Sequence, residues 1–147
     1  MPLTMSFIYE SQRLGSVFGL NLPRATTQET QICGYTIPKD SLVMMNFYDV
    51  LNSNELWSEP EKFKPERFID ENGQLYRPPF FIPFSLGKRN CMGESLAYIE
   101  LFHYTIEVVR NFEILVDPKS SWSDDIVVQV TRKPKKIPPL IFKPRVR

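Results

Sequence analysis

Histidine occurs once and cysteine twice in this 147-residue chain, and that scarcity closes off two classes of protein at the outset. Two thiols, Cys33 and Cys91, cannot build the disulfide framework of a small secreted domain, and a reducing compartment fits them better. Together with His103 they fall one short of the four ligands of a structural zinc site, at spacings that match no zinc pattern. Long apolar runs are lacking too. Nothing approaches the ~20 residues of a membrane span, and no basic segment precedes an apolar core as in a signal peptide, so the expectation is a chain without its own anchor. Glycine is sparse at six residues while proline is abundant at 13, which points to many loops and short strands and away from a helical bundle. Net charge is only +1, yet the last sixteen residues hold seven bases and no acid. Because these bases alternate with Pro134, Pro138, Pro139, Pro144 and the run Leu140-Ile141-Phe142, we read them as solvated positions on terminal strands and not as a nucleic-acid-binding arm. With 42% hydrophobic and 24% charged residues the chain is globular in composition, and its length suffices for one domain with a core.

Residues 2–14 read as a helix with proline near its first turn and Gly15 as its stop. Segments 31–37 and 41–47 alternate in polarity about Pro38-Lys39-Asp40, which predicts a strand pair with a proline turn; Cys33 inside the first strand is expected to be a small buried thiol. A long connection from Asn52 to Pro83 follows, with turns at Asn72-Gly73 and Pro78-Pro79. From Gly93 to Asn111, Leu96, Ile99, Phe102, Ile106 and Val109 recur at helical spacing, and Ala97, Leu101, Tyr104 and Val108 fill a second face. Such a helix is expected to be central to its domain. Segments 112–116, 126–130 and 140–142 are predicted strands. Trp57, Phe80 and Phe81 read as core.

The stretch Phe84-Ser85-Leu86-Gly87-Lys88-Arg89-Asn90-Cys91-Met92-Gly93 carries the chemistry. A cysteine binds metal as the thiolate, and positive charge or a helix N-terminus favours that anion. Cys91 follows Lys88 and Arg89 and precedes the apolar helix. Gly87 permits a positive φ beneath a flat ligand, Gly93 removes a side chain where the helix must come close, and Phe84 is placed to shield the sulfur. A core or surface role fits His103 better than ligation, since at ~1.5 Å per helical residue it stands far from a site at the helix start.

This stretch resembles the cysteine loop of the cytochrome P-450 superfamily, Phe-x-x-Gly-x-Arg-x-Cys-x-Gly, at every fixed position. Phe63-Lys64-Pro65-Glu66-Arg67-Phe68 resembles the superfamily's Pro-Glu-Arg-Phe segment, and Glu10 and Arg13, three apart on the first helix, match its Glu-x-x-Arg pair. The resemblance runs along essentially the whole chain in the family's order and covers the last third or so of such a protein. It implies an α+β, mostly helical fold, with residues 1–147 as the C-terminal part of a single catalytic domain. It further implies a haem cofactor (iron protoporphyrin IX) with Cys91 as axial ligand; Phe84, Gly87, Gly93, Arg89 and Arg24 around it, the two arginines holding propionates; and a buried Glu10–Arg13–Arg67 network that locks the loop. Val17, Phe18 and Leu22 would touch a small apolar organic substrate, although Gly19 stands where proline is frequent, and a second substrate-facing turn falls near residues 129–132.

The implied activity is insertion of one atom of O₂ into that substrate. Electrons would come from NADPH through a flavoprotein reductase, with Lys88 as a contact, on the cytosolic face of the endoplasmic reticulum membrane. The family's distal helix and membrane anchor would lie outside this chain, with membrane association through that part only. A non-catalytic short form, and a haem-thiolate isomerase or dehydratase, stand as alternatives.

Overall fold

A computed structural model describes residues 1–120, 123–128 and 131–146. The first helix, α1 (Pro2–Gly15), starts on a proline whose missing N–H leaves nothing unpaired, and it includes the glycine expected to stop it. Ser16 ends it instead, in the left-handed region at φ 39°, donating its N–H to the Gln12 carbonyl and its hydroxyl to the Arg13 carbonyl at 2.6 Å.

The predicted strand pair is wired differently. β2 (Thr30–Ile32) and β3 (Tyr35–Ile37) form a hairpin inside what reads as one strand, whereas β4 (Leu42–Val43) pairs with β1 (Arg24–Ala25). The cause is Cys33-Gly34. Two consecutive positive φ angles, 49° and 83°, make a two-residue turn whose twist suits a hairpin, and Cys33 is therefore exposed at a turn and not a buried strand thiol. The second predicted strand also ends early, because Asn46 accepts the Asp49 N–H and caps α2 (Phe47–Asn52), a helix that buries Phe47 and Leu51.

The long connection contains one 3-10 turn, Pro65–Phe68, and the expected Asn72-Gly73 turn. There the Asp70 carboxylate accepts the N–H groups of Asn72 and Gln74 at 2.9 and 2.8 Å, drawing Ile69 opposite Leu75. After the cysteine loop comes α3 (Glu94–Asn111). Within the described residues α3 lies against α1 along one side, none of its residues is fully buried, and Leu96, Ile99 and Tyr104 are 60%, 57% and 70% exposed.

Two terminal strand pairs follow. β5 (Phe112–Val116) pairs with β8 (Leu140–Pro144), and β6 (Ser123–Val128) pairs with β7 (Arg132–Lys136) around a bulge. The basic terminus thus supplies strands, as its apolar interleaving indicates, with Lys143 facing Glu113 at 3.8 Å. Residues 129 and 130 of the predicted strand 126–130 lie outside the described residues.

The core is one aromatic cluster: Tyr9 of α1, Phe47 and Leu51 of α2, and Trp57, Phe68, Phe81 and Ile82 of the connection. Phe68 and Phe81 meet edge to face at 4.9 Å and Tyr9 packs on both. Burying each such ring contributes roughly 1.5–3 kcal/mol, so this cluster holds the long connection against α1 where regular structure is scarce. Among the described residues, no helix is long and apolar enough to cross a membrane.

Candidate functional site

The cysteine loop is built by two backbone devices. Ser85 and Gly87 both take positive φ, 70° and 74°, turning the chain twice before the 3-10 turn Gly87–Arg89, and the Cys91 N–H then donates back to the Phe84 carbonyl at 2.9 Å. Cys91 is exposed at the head of α3, and the Glu94 N–H reaches its carbonyl at 3.4 Å. A side chain at Gly93 would start 3.8 Å from the Cys91 sulfur, so glycine there leaves the sulfur uncovered on that side.

Beside the sulfur lies an apolar cleft of about 300 Å³. Phe18, Leu20 and Leu22 from the segment after α1 line it together with Phe47, Phe84, Arg89 and Cys91. Arg24 joins from β1, donating from Nη2 to the Arg89 carbonyl at 3.0 Å and to the Ser85 hydroxyl at 3.4 Å. Phe18, Leu22, Arg24, Phe84, Arg89 and Cys91, drawn from widely separated parts of the chain, therefore share one site. Val17 faces a neighbouring cavity of about 190 Å³ that Phe18 and Phe84 also line. Lys88 points to solvent on the cationic turn, and His103 is exposed and distant in sequence on α3. Thr131 and Arg132 of the predicted second turn are described; Gln129 and Val130 are not.

The Glu10–Arg13–Arg67 network is present and largely enclosed, with the Arg67 side chain 11% exposed. Arg13 and Glu10 are both 0% exposed, and the guanidinium grips the carboxylate with two bonds, Nε to Oε2 at 2.7 Å and Nη2 to Oε1 at 2.9 Å. Oε1 also accepts Arg67 Nε at 3.1 Å and the Lys64 N–H at 2.9 Å. Further guanidinium N–H groups donate to main-chain carbonyls: Arg13 to Leu51 and Pro60, Arg67 to Ser58. Trp57 covers the assembly, its ring centre 5.3 Å from the Arg13 guanidinium and 5.7 Å from that of Arg67. One carboxylate with a full set of donors is the arrangement that makes a buried charge tolerable. The network reaches the cysteine loop through aromatic rings: Tyr9 packs on Tyr98 at 5.3 Å, and Tyr98 on Phe84 at 5.2 Å.

Sequence reasoning passed over several participants. Ser85 carries a positive φ without being glycine, and Asn21 and Phe47 line the cleft with no motif to mark them. Arg77, Glu94 and Tyr98 form a cluster under the loop, Arg77 Nη1 meeting Glu94 Oε1 at 2.7 Å. Only Glu94 carried a signal, as an acidic residue at the first position of a helix.

Comparison with known proteins puts these features in context. A family model described as Cytochrome P450 matches residues 1–139. Cytochrome P450 2U1 of Homo sapiens is 45% identical over 112 residues, 76% of this chain and 21% of that protein, and its Bos taurus counterpart is 41% identical over 121 residues, 82% and 22%. Cytochrome P450 2D10 of Mus musculus is 40% identical over 116 residues, 79% and 23%. The chain spans between a fifth and a quarter of the length of these relatives.

Proposed function

Since the chain belongs to the cytochrome P450 family, we propose that it supplies the cysteine-ligand side of a haem-thiolate monooxygenase acting on an apolar organic substrate. The observation that carries this reading is the position of Cys91, an uncovered thiol at the edge of an apolar cleft with two arginines beside it. These residues fit a haem: one soft sulfur donor, apolar side chains for the macrocycle, and Arg24 and Arg89 for its two carboxylates. Bound there, haem supplies activation of O₂ and transfer of one oxygen atom to the substrate.

The chain's own residues do the rest. Cys91 would hold the iron through its thiolate, and Gly93 leaves the sulfur unobstructed on its side. Arg24 is held by the Arg89 carbonyl and Ser85, which fixes its fork for a propionate. Phe18, Leu20 and Leu22 line the cleft and present an apolar face to substrate, with Val17 in the neighbouring cavity. Lys88, free on the outer turn, is suited to meet the acidic surface of an NADPH-dependent flavoprotein reductase, a contact that weakens with salt. The location that goes with this reading is the cytosolic face of the endoplasmic reticulum membrane, as the family resemblance implies.

The test is the carbon monoxide spectrum of reduced, haem-loaded protein containing residues 1–147. The red-shifted band of thiolate ligation is expected in the wild type and after Cys33→Ser, and its loss after Cys91→Ser. A band that survives Cys91→Ser, or that Cys33→Ser abolishes, overturns the ligand assignment.

A further inference from the structure

We infer that Arg77 is a positioning residue for Cys91, and that with Glu94 it forms a neutral pair that sets the electrostatic field at the sulfur. Three contacts converge on Arg77. Its Nη1 donates to Glu94 at 2.7 Å, and its guanidinium stands over the Phe81 ring at 5.5 Å and the Tyr98 ring at 5.8 Å. Two of the three lead to the cysteine. Glu94 is the first residue of α3 and its N–H donates to the Cys91 carbonyl at 3.4 Å. Tyr98 stacks edge-on against Phe84 at 5.2 Å, and the Phe84 carbonyl accepts the Cys91 N–H at 2.9 Å. Both polar groups of the Cys91 backbone are therefore fastened to residues that Arg77 either touches or reaches through one ring. Phe81, buried in the aromatic core at 1% exposure, anchors the guanidinium from below.

Charge gives the pair a second role. The Glu94 side chain is 19% exposed and that of Arg77 37%, so water screens them only in part. Paired, they present no net charge three residues beyond Cys91. Removing Arg77 alone leaves a carboxylate near an electron-rich ligand, which favours the more positive, oxidised iron; removing the Glu94 charge alone leaves a cation and does the reverse.

This inference rests on the haem-thiolate reading, and the experiment separates the two. In the haem-loaded holoenzyme, the reduction potential is measured for wild type, Arg77→Gln, Glu94→Gln, the double variant and Arg77→Lys, each with its carbon monoxide spectrum. Expected are a shift to more negative potential for Arg77→Gln, a shift to more positive potential for Glu94→Gln, and a return toward wild type in the double variant. Arg77→Lys keeps the potential but loses the planar stack, so a larger fraction of it converts to the form without the thiolate band on mild heating. Opposite-signed shifts distinguish the pair from an ordinary brace, whose loss moves every variant the same way. Unchanged potentials, or shifts of one sign throughout, overturn the inference while the thiolate band stands. A wild type that lacks the band, or a Cys91→Ser variant that keeps it, overturns both.

Discussion

The Arg132 guanidinium lies 4.1 Å from the centre of the Tyr48 ring, close enough for a cation–π contact, while its main-chain N–H donates to the Val17 carbonyl at 2.7 Å. One residue of the terminal hairpin thereby clasps the segment that walls the apolar cleft. Gly19 sits under the clasp: a Cβ there would come within 3.2 Å of the Arg132 Cδ, and the Gly19 carbonyl accepts the Tyr48 N–H at 2.9 Å.

The first prediction concerns that crowding. Gly19→Ala should destabilise the protein in the presence of Arg132 and do so less after Arg132→Ala, with a coupling of roughly 0.5–1 kcal/mol in a double-mutant thermal-melt cycle. Additive effects would mean that the side chain at 132 moves aside freely.

The Glu10–Arg13–Arg67 network yields the second. Arg67→Ala or Glu10→Ala leaves buried charge without its partner, which typically costs ~3–5 kcal/mol. Mostly haem-free or aggregated protein is expected, visible as a low ratio of haem to protein after purification. Normal haem content in both variants would reduce the network to an ordinary ion pair.

How this site was legible in the sequence follows from what each signal depends on. Cys91, Arg89 and Phe84 stand in one short stretch at fixed spacing, so local chemistry sufficed to pick them out. Glu10 and Arg67 lie far apart, and only the family's order of motifs joined them; their shared carboxylate is a tertiary fact. Arg77 and Tyr98 gave no signal, because a guanidinium stacked on rings looks in sequence like any loop arginine. The strand assignment failed for a local reason. Period-two alternation continues through Cys33-Gly34, and alternation says nothing about the sign of φ. The exposure of α3 has a different origin: apolar residues on two faces state what a helix is able to bury, not what this chain has available to cover it.

A third prediction uses the hairpin turn. Cys33 takes φ 49° before Gly34 at 83°, a pair of positions that asparagine-glycine favours. Cys33→Asn should raise stability by about 0.4–1 kcal/mol, measured by denaturant midpoint, with no effect on any Cys91-dependent property. A loss of stability would show that the thiol makes a contact of its own.

Alkaline pH gives the fourth. Burial pushes the Tyr98 hydroxyl above the ordinary tyrosine range, more than Arg77 nearby pulls it down, and Tyr9 is raised by burial as well. A folded value above the unfolded one means that the unfolded chain sheds protons first, so stability holds below about pH 10 and falls as pH rises beyond it. The Tyr98 hydroxyl is also buried without a hydrogen-bond partner among the described residues. Tyr98→Phe should therefore be neutral or slightly stabilising near pH 7 and should flatten the fall above pH 10, by thermal melts across that range. An unchanged alkaline slope would place the titration elsewhere.

The last prediction concerns the 147-residue chain by itself. Residues of α3 as large as Leu96, Ile99 and Tyr104 are more than half exposed, and a further apolar cavity of about 460 Å³ opens between α1 and α3, lined by Met1, Leu3, Phe7, Ile106 and Val109. Contiguous apolar surface of this kind drives association. Cys91 meanwhile sits on an open cleft, so a haem held there would have its cysteine side supported and much of its other face in water. Expressed as residues 1–147, the protein should self-associate at micromolar concentration by sedimentation, and haem added to it should exchange readily to apomyoglobin. It should not oxidise substrate when supplied with reductase. Exchanging the exposed α3 positions for polar residues, Leu96→Gln with Ile99→Lys, should restore the monomer without restoring haem retention, because the two deficits have separate causes. A soluble monomer that keeps haem one-to-one and turns over substrate would show that the cleft closes around the cofactor in a way this arrangement of α1, α3 and the cysteine loop does not anticipate.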